Sequence, residues 1–112
     1  MRKKQGPKVS RRVFKRFRAN FPITFMDLKQ GKEIDAETKD VSAKGLGIFT
    51  YTEVEKYTPL KIWVYMPDRQ KPFYTQGRIA WVDPLENGFR AGVTLDKPEF
   101  MGLSRIFRSR IN

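Results

Sequence analysis

The sequence predicts a mainly β domain: a six-stranded antiparallel β-barrel with a C-terminal α-helix, preceded by a flexible basic N-terminal arm. Three observations carry that reading. Apolar residues recur at every second position in six separate segments, the period becomes helical after Asp96, and Lys and Arg crowd into the first eighteen residues.

Residues 1–10 hold Gly6, Pro7, four cations and little apolar content, which reads as a mobile leader. Phe21, Ile23 and Phe25 then alternate with Pro22, Thr24 and Met26, as in a half-buried strand with proline near its start. Gln30-Gly31 reads as a turn. Ile34, Ala36 and Thr38 alternate with Glu33, Asp35 and Glu37, giving a second strand whose acids form an exposed face and not a catalytic pair. Ser42–Gly45 is the next turn, and Leu46, Ile48 and Thr50 form a short third strand. After a polar connection over 53–58, Leu60, Ile62, Val64 and Met66 alternate with Lys61, Trp63 and Tyr65. Phe73 to Val82 supplies the fifth strand and Phe89, Ala91, Val93 and Leu95 the sixth. Between them Asn87-Gly88 signals a hairpin, inside a loop expected to start at Asp83.

The last segment has a different spacing. Pro98 suits a helix start, and Phe100, Leu103, Phe107 and Ile111 then fall on one stripe with Ile106 beside it. Arg105, Arg108 and Arg110 fall largely off that stripe, near a helix C-terminus where cations are favoured.

At 112 residues the chain suits one domain with its own core. It has no Cys and no His, which excludes disulfides and thiol chemistry and removes the commonest general base and metal ligand. No cofactor or metal is expected, and no enzymatic activity. No apolar run reaches the roughly 20 residues of a membrane helix, and no secretory signal is legible, so a cytoplasmic protein is expected. The net charge is +11, yet nine of the 23 Lys and Arg lie in residues 1–18 with no acid among them. The remaining chain holds 14 basic and 12 acidic residues, so its body is nearly neutral. A cationic arm before a neutral body suggests an arm that meets phosphate.

Two clusters carry chemistry. Arg12 and Arg16 present planar forks that match phosphate oxygens and the O6 and N7 acceptors of guanine. Phe14 and Phe17 can pin that arm to the barrel, while a basic linker paired with surface acids is the plainer alternative. Asp40, Ser42 and Gly45 follow a strand. The carboxylate can accept from the N1–H and N2–H₂ edge of guanine, and the hydroxyl can donate or accept beside it. Gly45 is expected to use positive φ and let a backbone amide approach a ligand. An ordinary turn uses the same residue types, so the second cluster alone does not decide. Taken together the clusters read as two halves of one site, joined only when a ligand is present.

Arg12-x-x-x-Arg16 followed by Asp40-x-Ser42-x-x-Gly45 resembles the PilZ domain, a bacterial receptor for the second messenger cyclic di-GMP. The stretch from Arg11 to Ile23 is similar to the usual entry into the first PilZ strand. Gly77–Trp81 and Phe89–Val93 resemble later strands, so the likeness spans roughly residues 11–108. The resemblance implies a split barrel in which Arg12, Arg16, Asp40, Ser42 and Gly45 bind cyclic di-GMP. It makes Arg11 an auxiliary phosphate contact and implies a protein target downstream. It also divides the chain into a leader (1–10), a ligand-binding arm (11–18), a barrel (19–97) and a helix (98–112). Trp81 can stack on a base or fill the core, and Trp63 suits packing or a partner surface. Lys44 and Arg78 can add charge near the site. Two alternatives remain at this stage. One is a basic barrel binding RNA or single-stranded DNA, although a carboxylate at Asp40 would repel a phosphate backbone. The other is a PilZ-like adaptor with an idle nucleotide site and Trp63 and the helix as contacts.

Overall fold

The computed structural model describes residues 16–111. It contains β1 (Phe17–Arg18), β2 (Pro22–Asp27), β3 (Lys32–Val41), β4 (Gly45–Thr50), β5 (Pro59–Val64), β6 (Phe73–Leu85), β7 (Gly88–Leu95) and α1 (Phe100–Ile111). All pairings are antiparallel, and the order β3-β2-β5-β6-β7-β4 closes through a further β3–β4 pairing. Six strands thus form the expected barrel. β1 is an addition: Phe17 and Arg18 pair with Val41 and Asp40, continuing along β3 beyond the stretch that β2 occupies.

Inward-facing residues of every barrel strand fill the core, among them Phe25, Ile48, Leu60, Ile62 and Ile79, each no more than 1% exposed. Burial of such side chains supplies the main driving force for folding, about 1.5–3 kcal/mol each. The first hairpin turns at Gly31, whose φ of 71° explains the glycine. The last hairpin differs from the expected long loop. Leu85 pairs with Gly88, so only Glu86 and Asn87 link β6 to β7. Pro84 is tolerated there because β5 pairing ends at Arg78, leaving that part of β6 with β7 as its neighbour.

Between β1 and β2, the buried Thr38 holds the chain on both sides. Its Oγ1 accepts from Phe21 N at 2.8 Å and donates to Ala19 O at 2.6 Å. Ala19 and Phe21 are themselves buried. Phe17 meets Phe107 of α1 edge-on, with centroids 4.7 Å apart. Phe17 also packs against the barrel core, so it holds the end of the arm between the barrel, the expected contact, and the helix, which was not expected.

The helix is fixed by Ile106 in the core and by Gly102, where a Cβ would overlap the ring of Phe73. Arg105, expected off the buried stripe, forks onto Asp68 in the β5–β6 loop, Nε to Oδ2 at 2.6 Å and Nη2 to Oδ1 at 2.8 Å. No helix among the described residues is long and apolar enough to cross a membrane.

Candidate functional site

One transverse row of residues organises the outer wall of the barrel beside the arm. Asp40 of β3 pairs with Gly47 of β4, Gly47 with Gly92 of β7, and Gly92 with Trp81 of β6. A carboxylate and an indole thus stand at the ends of a row whose two middle positions are glycine. Both lean over those glycines. A Cβ on Gly47 would lie 2.7 Å from Asp40 Oδ2, and one on Gly92 would overlap the Trp81 ring. Side chains at either middle position would fill the space that Asp40 and Trp81 use.

The outer placement of both residues depends on bulges. Along β3 the buried residues are Ile34, Thr38 and Val41, so the face that points inward changes parity after Thr38. The register shift between Thr38 and Asp40 absorbs the extra residue. On β6, Thr75 and Ile79 are buried, and Val82 packs on the core after a shift between Ile79 and Trp81. Without these insertions a strict two-residue alternation would turn Asp40 and Trp81 into the barrel. Trp81 is instead 43% exposed, which decides between its two expected places in favour of the surface.

Arg16 lies against this row. Its Nε and Nη2 donate to Asp40 Oδ1 at 3.0 and 2.5 Å, and its Nη1 lies 3.8 Å from where a Cβ on Gly45 would be. The expectation that the two clusters meet only around a ligand therefore fails for Arg16, because the Asp40 carboxylate attracts it directly. Arg16, Ser42, Lys44, Gly45, Trp81 and Thr94 border a shallow hollow of about 270 Å³ floored by Gly92 and Val93. Arg11, Arg12 and Phe14 lie outside the described residues.

The loop between β3 and β4 is built by Ser42. Its buried Oγ accepts from Gly45 N at 3.0 Å and Lys44 N at 3.3 Å. The hydroxyl is thus committed to local backbone, which makes Ser42 a shaper of the loop. Gly45 departs from its expected conformation, since Gly31 is the glycine with positive φ among the described residues. The requirement at Gly45 is contact: a Cβ would sit 2.7 Å from the backbone oxygen of Val93 on β7. Lys44 borders the hollow, whereas Arg78 turns away and donates from Nη1 to Tyr57 O at 3.1 Å. Gly47 and Gly92 were not singled out from sequence. A glycine within a strand marks close approach, and that was the available signal.

The model of the PilZ domain matches residues 10–108. The chain belongs to the PilZ domain family. A search of curated protein sequences returns no match. Among solved structures, the PilZ domain of YcgR from Escherichia coli, determined with c-di-GMP, is similar over 89% of this chain and 92% of its own, with a TM-score of 0.70 at 16% identity. The inhibitor of motility MotI/DgrA of Bacillus subtilis is similar over 87% of this chain with a TM-score of 0.66 at 13% identity. This PilZ chain spans 48% of that protein's length. At these identities the likeness establishes the split-barrel fold.

Proposed function

We propose that this PilZ domain is a cytoplasmic receptor for cyclic di-GMP and not an enzyme. Arg12, Arg16, Asp40, Ser42 and Gly45 form its site, with Arg11 and Trp81 as auxiliary contacts. The observation that carries the reading is the Arg16–Asp40 pair set beside the hollow that Trp81 closes from the other side. Family membership, and a structural neighbour determined with c-di-GMP, support the ligand class.

The chemistry follows from the groups present. Asp40 keeps Oδ2 over Gly47, positioned to accept from a guanine edge, while the Arg16 guanidinium can turn to phosphate or to the O6 and N7 acceptors. The Trp81 indole offers a flat face at the other end of the row. The Arg16 and Asp40 side chains are 49% and 26% exposed, so their pair contributes only about 0–1 kcal/mol. A charge-assisted bond to phosphate contributes roughly 1.5–3 kcal/mol, enough to exchange one partner for the other. Arg12 and Arg16 then draw the arm onto the ligand. Binding shifts the population towards that arm arrangement by its differential affinity, and a protein target reads the change.

Calorimetric titration with cyclic di-GMP tests the assignment, with the Arg12→Ala/Arg16→Ala variant as control. Heat of binding from the wild type alone is expected. A parallel gel shift with single-stranded nucleic acid separates this reading from a basic barrel that binds RNA or DNA, for which the oligonucleotide would bind and the dinucleotide would not.

A further inference from the structure

A second face of the barrel carries a patch that the nucleotide site does not use. On the outer wall, Trp63 of β5 stands between Thr24 of β2 and Tyr74 of β6. The Trp63 and Tyr74 rings are inclined at 44° with centroids 5.3 Å apart. Tyr65 and Tyr74 are 42% and 41% exposed, and Met26 lies half-buried one row along. Aromatic residues and Met are enriched where proteins dock, the aromatic rings because they bury large area with few torsions to fix.

The charge around the patch has a sign opposite to that of the whole chain. On one rim β3 sets Asp35 beside Thr24 and Glu33 beside Met26. On the other rim Asp96 and Glu99 border a hollow of about 410 Å³ next to Tyr74 and Gln76. Among the described residues, Lys61 stands on the patch and Lys97 on its rim, beside the four acids. A chain of net charge +11 thus keeps an aromatic face with acidic rims.

We propose that this face docks a basic, apolar-anchored segment of a protein target. A Lys or Arg laid on exposed rings gains a cation–π contact, and its neighbours can reach the acidic rims. Apolar side chains of the segment would lie along the line of Tyr65, Trp63 and Met26. Nucleic acid and anionic lipid are disfavoured because their phosphates would face the acids. Two-fold pairing with a second copy would set acidic rim against acidic rim. The inference rests on the reading that the chain acts on a protein, and not on nucleotide binding.

The test is selection from a displayed random peptide library against the full chain, with and without cyclic di-GMP, beside Tyr65→Ala/Tyr74→Ala and Glu33→Lys/Asp35→Lys variants. Both variants alter exposed side chains, and unchanged circular dichroism and nucleotide affinity verify their fold. The expected winners are basic peptides with an aromatic or aliphatic anchor, bound about tenfold or more weakly by each variant. Selection of acidic peptides, which the cationic arm alone would favour, overturns the proposal. So does the absence of enrichment, equal binding by the variants, or a concentration-dependent dimer that the tyrosine variant abolishes. A wild type that selects basic peptides at this face yet ignores cyclic di-GMP would contradict the receptor reading and leave this one standing.

Discussion

Arg105 meets Asp68 with a separate nitrogen on each carboxylate oxygen, in side chains only 13% and 20% exposed. Arg16 instead directs two nitrogens to the single oxygen Oδ1 of Asp40, in side chains 49% and 26% exposed. The same two residue types thus give a fastener in one place and a loose contact in the other. Where both oxygens are matched and solvent is largely excluded, the fork is strong. It holds the Asp68 carboxyl down to about 2, chiefly through the hydrogen bond from Arg105. Where one oxygen takes both donors in water, the pair is weak and can be exchanged for another anion. The first pair ties α1 to the β5–β6 loop. The second lies at the proposed nucleotide site, where exchange of Asp40 for a ligand phosphate would serve binding.

Substitutions can break this contrast. The largest effect is expected from Arg12→Ala/Arg16→Ala, which lowers cyclic di-GMP affinity by about two decades or more while thermal unfolding stays close to wild type. Arg105→Ala should do the reverse, lowering the melting temperature by several degrees with the dissociation constant unchanged. If both variants moved the same observable, the two pairs would not differ in kind.

The two glycines near Asp40 sharpen the contrast further. Gly45→Ala forces a Cβ against the Val93 backbone and should cost about 1–3 kcal/mol of stability in denaturant titration. Gly47→Ala meets the Asp40 carboxylate first, a movable group, so it should fold normally and bind the nucleotide several-fold more weakly.

The smallest effect is a pH dependence. A carboxyl lowered from 3.8 to about 2 contributes stability that is complete above its ordinary value and is lost as pH falls through about 2. The melting-temperature gap between wild type and Asp68→Asn should therefore stay level from neutral pH to about 5 and close as the pH approaches 2.

Much of this contrast was only half legible in the sequence. The six strands and the helix could be read because Phe21, Ile23 and Phe25, or Leu60, Ile62 and Val64, alternate without interruption. Asp40, Ser42 and Gly45 were legible as a group, yet the reasons for two of them were not. Ser42 bonds its own loop, and Gly45 yields to a strand far along the chain. The bulges after Thr38 and Ile79 escaped because one inserted residue looks like the end of a strand, which left Trp81 between core and surface. A loop is expected from Asp83, where β6 instead continues paired with β7 as far as Leu85. The Arg105–Asp68 fork joins residues 37 positions apart and leaves no local pattern.

The central claim is that Arg16 leaves Asp40 for the ligand and contributes to binding and not to folding. Calorimetric titration of cyclic di-GMP into wild type and Arg16→Ala, with thermal unfolding of both, tests it most directly. The prediction is one to two decades of affinity lost with the melting temperature nearly unchanged. Equal affinity in the two proteins, or a large fall in melting temperature in the variant, would contradict it.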